Sequence, residues 1–197
     1  MKTAYLVVNG VVDEKWLSSE LKDKKPVFCT DGAVDKVKVK VEAVLGDLDS
    51  VKVKECQNYV HLPDQEFTDF EKALKHLEGK YDTVIIYGAS GGLVDHTLSN
   101  LSIASIFKNK MQLMFKEPKQ EYIFADNNLI LEKVKGKTIS LVPFPMAKGV
   151  TTKGLKWPLK NETLGLGGFI SARNKAELDK IEISYKDGCL LVFVEDS

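Results

Sequence analysis

From residue 3 to about 115 the chain alternates short β-branched apolar runs with stretches of helical period. That alternation is how a parallel sheet with crossover helices reads. Strands are expected over residues 4–8, 27–29, 41–45 and 59–62, and residues 13–21 place Trp16, Leu17 and Leu21 on one helical face. Thr68-Asp69-Phe70-Glu71 forms a capping box that opens a helix over 69–77. Asp69 then lies in the first turn, where the helix dipole stabilises an anion. The clearest strand, 83–87, runs through Gly88-Ala89-Ser90-Gly91-Gly92-Leu93-Val94-Asp95-His96 into a helix reaching about residue 108.

After about residue 118 the helical period disappears. Runs of strand length over 121–125, 129–131, 138–142, 180–185 and 189–195 are separated by Asn-Asn, Lys-Gly, Pro and Asp187-Gly188 turn signals. An all-β domain follows, as a sandwich or a barrel. Gly165-Leu166-Gly167-Gly168 has the look of a nucleotide loop but no helix after it, so it reads as a tight turn or bulge. The division expected is therefore 1–118 and 119–197.

Composition narrows the partners. Hydrophobic residues make up 44% and charged residues 28%, with 28 basic side chains balancing 28 acidic ones. Nothing in that balance recruits nucleic acid or an anionic membrane. The longest apolar runs, 83–87 and 189–194, fall far short of the ~18 residues that span a bilayer. The apolar stretch at the N-terminus is too short for a signal peptide, so a cytoplasmic protein is expected. Cys29, Cys56 and Cys189 are too scattered for a disulfide framework or a zinc ribbon.

The chemistry concentrates at Gly46-Asp47-Leu48-Asp49-Ser50, at the C-terminal end of a strand, where open α/β sheets bind ligands. In extended backbone Asp47 and Asp49 point the same way while Leu48 turns to the core. Paired carboxylates of this kind suit Mg²⁺ or Ca²⁺ rather than zinc. A polar turn after a strand accounts for the residue types equally well. An EF-hand is excluded, because Val51 and Lys52 stand where that loop needs a ligand and then a glycine. The turn through Gly88, Gly91 and Gly92 exposes backbone N–H groups to phosphate at a helix start, without a Walker A lysine or the GxGxxG spacing. Asp95 at the mouth of that helix reads as a cap.

Taken together, these stretches resemble the thiamine pyrophosphokinase (thiamine diphosphokinase) family over nearly the whole chain. Thr30-Asp31-Gly32-Ala33 resembles its DGA segment, 46–50 its GDxDS loop, and Asp64-Gln65 through Thr68-Asp69-Phe70-Glu71-Lys72-Ala73-Leu74 its DQ and TDxxKAL element. Residues 88–96 resemble its GAxGGRxDH turn and Gly154-Leu155-Lys156-Trp157-Pro158-Leu159 its GLKWPL segment. Ser171 and Asn174 fall on its SxxN pair.

The resemblance implies a Rossmann-like α/β catalytic domain, a mostly parallel sheet with helices on both faces, followed by a thiamine-binding β-sandwich. It also implies a homodimer with active sites at the subunit interface, and Mg²⁺-dependent transfer of pyrophosphate from ATP to the thiamine hydroxyl, leaving AMP. Asp47, Asp49 and Asp69 would hold Mg²⁺ and carry the catalysis. Asp31, Gly88, Gly91 and Gly92 would line the nucleotide, and Gln65, Asp95, Ser171 and Asn174 would contact thiamine. Leu93 departs from the pattern where the family has arginine, and Arg173, the one arginine of the chain, reads either as a solvated loop arginine near Lys175 or as a replacement for that phosphate contact. Two other readings fit the same residues. One is another Mg²⁺-dependent phospho- or nucleotidyltransferase on this scaffold; the other is a catalytically weak thiamine- or nucleotide-binding protein.

Overall fold

Parallel pairing organises the first part of the chain. The computed structural model describes residues 1–47 and 58–196 and divides into two compact units, Met1–Pro118 and Lys119–Ser197. In the first unit β1 (Thr3–Val7), β2 (Val27–Thr30), β3 (Ala43–Gly46), β4 (Tyr59–His61), β5 (Thr83–Tyr87) and β6 (Gln112–Glu117) stand in the order β4-β3-β2-β1-β5-β6. Every pair is parallel. The chain winds outward from β1 in both directions, so the loops after β1 and β5 meet at the point where the strand order reverses. Open sheets bind ligands in that crevice.

The helices form as local chemistry dictates. α1 (Glu14–Leu21) is capped by Asp13, whose carboxylate accepts from the Lys15 and Trp16 amides, and it buries Leu17 and Leu21 against Val7, Val27, Cys29 and Val44. Each such leucine contributes roughly 1.5–3 kcal/mol by leaving water. α2 (Asp69–Leu77) starts at Thr68, whose hydroxyl accepts from the Glu71 amide at 3.2 Å, and it buries Phe70, Ala73, Leu74 and Leu77. α3 (Val94–Phe107) starts after Leu93, which has no side chain to cap it. Asp95 therefore sits in the first turn, not at the cap where the sequence pattern placed it.

Two elements of this unit were not anticipated. β6 buries Leu113 and Phe115, but beyond the helix expected to end at about residue 108 its alternation is too short to announce a strand. A 3-10 turn, Asp31–Lys36, follows β2 directly.

The second unit is antiparallel throughout. It holds β7 (Gln120–Phe124), β8 (Asn128–Leu131), β9 (Thr138–Lys153), β10 (Glu162–Gly165), β11 (Ser171–Lys175), β12 (Ile181–Ser184) and β13 (Asp187–Glu195). They stand in the order β7-β13-β9-β12-β8, with β10 and β11 also on β9. β9 runs well past the expected 138–142, because Pro143 and Gly149, which read as breakers, are absorbed where β9 pairs with β13 and then β12. β10 and β11 escaped the pattern because only Leu164, Ser171 and Asn174 are buried in them, too few and too polar to show alternation. The 165–168 segment is the tight turn expected of it, with the Gly168 amide donating to the Gly165 carbonyl at 2.9 Å. No described helix is long and apolar enough to cross a membrane.

Candidate functional site

Register brings the acidic residues together. β2 and β3 pair with Thr30 opposite Leu45, so the residues that leave those strands, Asp31 and then Gly46-Asp47, are neighbours. Asp69 arrives from the first turn of α2. One carboxylate oxygen from each of Asp31, Asp47 and Asp69 lies within 4.8 Å of the others. Asp31 is only 2% exposed. Its Oδ1 accepts from the Gly32 amide at 2.6 Å, while its Oδ2 is buried with no hydrogen-bond donor, a state that costs free energy unless a cation or proton supplies what is missing. Burial pushes the Asp31 carboxyl above its usual range, the Asp69 carboxylate adds to the push, the Gly32 amide opposes it, and Asp47 adds further.

Lys72, part of the TDxxKAL match but without a role in the sequence reading, joins the carboxylates. It stands one turn after Asp69 on α2, is 5% exposed, and its ammonium donates to Asp47 Oδ2 at 3.2 Å and Asp69 Oδ1 at 3.1 Å. Burial pulls its pKa down, yet the two carboxylates together outweigh that and hold it above the ordinary lysine value. The three-residue spacing from Asp69 was the available signal, since i and i+3 share a helix face. Gln65 also joins this group, its amide donating to Asp47 Oδ2 at 3.1 Å.

Beside the carboxylates lies a cavity of about 460 Å³, lined by Asn9, Gly10, Asp31, Asp69, Ser90 and Gly92 among others. Its glycine-rich side is made by two loops in contact. The Gly10 amide donates to the Gly88 carbonyl at 2.8 Å, and a Cβ at Gly10 would fall 2.1 Å from that oxygen, so only glycine fits. Gly88 and Gly91 adopt φ of 72° and 80°, which glycine takes without strain. The turn is held by Asn100, donating to the Ala89 carbonyl at 2.9 Å, and by Glu117, which accepts from the Ser90 hydroxyl at 2.7 Å. The uncapped start of α3 opens on this cavity through Gly92 and Leu93, an arrangement suited to a phosphate. The size suits a nucleotide-sized ligand.

The remaining expected residues are placed as follows. Asp49 lies outside the described residues, as does Cys56. Asp95 is exposed in the first turn of α3 and does not line the cavity, whereas its neighbour His96 does. Ser171 and Asn174 lie on β11 in the second unit, 8% and 2% exposed. The Asn174 side chain is committed to Trp157, accepting from its amide at 3.2 Å and donating to its carbonyl at 2.7 Å. Arg173 extends into solvent and pairs with Glu195 at 2.9 Å.

The sequence matches two family profiles: "Thiamin pyrophosphokinase, catalytic domain" over residues 17–115 and "Thiamin pyrophosphokinase, vitamin B1 binding domain" over residues 127–190. Thiamin pyrophosphokinase 1 of Caenorhabditis elegans is 29% identical over 186 residues, covering 83% of this chain and 76% of that one. Thiamine pyrophosphokinase of Bacillus subtilis is 28% identical over 201 residues, covering 94% and 90%. The fold is shared with the crystal structure of the Bacillus subtilis protein at a TM-score of 0.83, with 21% identity and full coverage of both chains. It is also shared with yeast thiamin pyrophosphokinase at 0.82, with 17% identity and 98% and 86% coverage.

Proposed function

The chain belongs to the thiamin pyrophosphokinase family, and from that premise we propose that it transfers the pyrophosphoryl group of ATP to the hydroxyl of thiamine, giving thiamine diphosphate and AMP. The observation that carries the reading is the convergence of Asp31, Asp47 and Asp69 beside a cavity walled by a glycine-rich turn. Both are what a polyphosphate with its counter-cation requires.

Mg²⁺ is the cation assigned to the carboxylates. The fit rests on three carboxylate oxygens within 4.8 Å of one another, and on the buried, donorless Oδ2 that Asp31 carries. When bound, it would neutralise charge on the phosphates and fix their orientation. Asp47 and Asp69 would hold it, with Asp49 as the further ligand that the resemblance implies. Asp31 stands at the nucleotide side, where the amides of the 88–92 turn and the start of α3 receive phosphate oxygens. Asp69 is assigned nearest the attacking hydroxyl, as cation ligand or as acceptor of its proton. Gln65, Asp95, Ser171 and Asn174 are assigned to thiamine, Asn174 acting through Trp157. Holding the phosphates and their counter-cation at the carboxylates of the first unit would bring the reactants into line, which is most of the catalysis phosphoryl transfer needs.

The finer architecture belongs to the same proposal. Val27 and Cys29 pack with α1 while Phe28, pointing oppositely, meets His76 of α2 at 6.5 Å between ring centres, which supports a Rossmann-like layering with helices on both faces. The second unit is assigned as the thiamine-binding β-sandwich. A homodimer with sites between subunits is supported by apolar side chains left in water, with Val94 at 73% and Phe169 at 52% exposure. Light scattering at micromolar concentration should give the dimer. Mixing Asp69→Asn with Asn174→Ala chains should then restore part of the activity each lacks. A cytoplasmic location completes the assignment.

Incubation with thiamine, ATP and Mg²⁺ should yield thiamine diphosphate and AMP in equal amounts. ADP or pyrophosphate as product would point to another transferase on this scaffold, and tight thiamine binding without AMP to a non-enzymatic protein.

A further inference from the structure

Lys72 occupies a position that helix packing reserves for an apolar residue. Its neighbours on α2, Phe70, Ala73 and Leu74, are 2%, 0% and 0% exposed, and Lys72 itself is 5% exposed. Lysine is almost never buried to this degree unless it is paired. Its partners are Asp47 at the end of β3 and Asp69 at the start of α2, so one ammonium ties together the two elements that deliver the carboxylates. It does not serve the third. Asp31 Oδ2 remains without a donor. Two of the carboxylates are thus partly neutralised by a charge that cannot diffuse away, and one is left for a cation that can.

We propose that Lys72 is the resident counter-cation of this carboxylate group, a positioning residue that holds Asp47 and Asp69 at the spacing a divalent cation needs while that cation is absent. The inference rests on the reading of these carboxylates as cation-holding. Without a fixed positive charge, part-buried carboxylates at this separation repel one another, and the β3 and α2 ends part. With it, the site survives exchange of metal and nucleotide between turnovers. Lysine suits the task better than arginine, being a compact point charge with three rotatable donors that two carboxylates can share.

Thermal unfolding of the whole protein, after chelation and again with saturating Mg²⁺, separates this role from packing. Wild type should gain modestly in Tm with Mg²⁺. Lys72→Met should have a lower metal-free Tm and an Mg²⁺-induced rise about twice that of wild type, because the cation then replaces the lost charge as well as binding the folded state. Lys72→Gln, which keeps hydrogen bonding but not charge, should behave like Lys72→Met, and it stands in for Lys72→Met if that variant does not fold. Adding Asp69→Asn to Lys72→Met should recover metal-free Tm by removing one of the repelling charges. An equal Tm loss with and without Mg²⁺ in both Lys72 variants would make Lys72 a packing residue and overturn the inference. If wild type itself gains nothing from Mg²⁺ or Mn²⁺, the cation reading of the site fails first and takes the inference with it.

Discussion

Gly46 packs against Asp31 so closely that a Cβ on Gly46 would lie 2.8 Å from Cγ and 3.0 Å from Oδ2 of Asp31. The missing side chain is what lets a buried carboxyl lie across the end of β3, next to Asp47. Gly46→Ala should therefore displace the Asp31 carboxyl. The expected cost is about 1–3 kcal/mol of stability, as for other overpacked sites. Turnover should fall by tenfold or more, on the order of what small misplacements cost. Melting curves and steady-state kinetics on the same preparation test it. Wild-type kinetics would show that the position of Asp31 is irrelevant to the reaction.

Asp31→Asn should trade function for stability. The carboxyl is buried, carries a donorless oxygen and faces two like charges, so its ionised form strains the fold. An isosteric neutral amide removes that strain. In chelated buffer at neutral pH the variant should melt above wild type, yet its turnover should drop by roughly 10–100-fold if it loses a cation or nucleotide contact. A variant less stable than wild type would refute the electrostatic account.

Glu117 offers a pH dependence. Burial pushes its carboxyl above the ordinary glutamate value of 4.5, and the hydrogen bonds from Ser90 only partly offset this. Because the folded-state value is the raised one, its contribution to stability is fully present below about pH 4.5 and is lost as pH rises through that higher value. Glu117→Gln mimics the protonated form and can still accept from Ser90. Its Tm should match wild type near pH 4 and exceed it at pH 7, with the difference opening between. A pH-independent difference would assign the effect to packing.

Leu93 lines the cavity at the start of α3 and is 66% exposed, an unusual use of leucine. Leu93→Arg places a planar, permanently charged donor where phosphate is expected. The KM for ATP should fall by about 3–10-fold at low salt, the worth of a charge-assisted hydrogen bond near a surface, and the gain should shrink as salt is added. The KM for thiamine should not move. An unchanged KM for ATP would place the phosphates away from α3.

The two elements that carry the acidic pair were legible in the chain because their signals are local. The Thr68 cap with Glu71 announces α2 and puts Asp69 in its first turn. Gly46-Asp47 ends a short apolar run that reads as a strand. The glycines of the 88–92 turn were readable for the same reason, since positive φ at Gly88 and Gly91 is a property of single residues. What tertiary structure decided was which of these local pieces meet. Nothing near Asp31 in sequence says that its carboxyl belongs with Asp47 and Asp69, because that depends on Thr30 pairing with Leu45. Nothing near Lys72 marks it as buried, because a lysine at that spacing is equally at home in water. β10 and β11 were hidden likewise, their pairing with β9 supplying what their polar side chains do not. Hydrogen-bond period and capping act over a few residues, whereas burial and the company of charges are set by strand register between segments far apart in the chain.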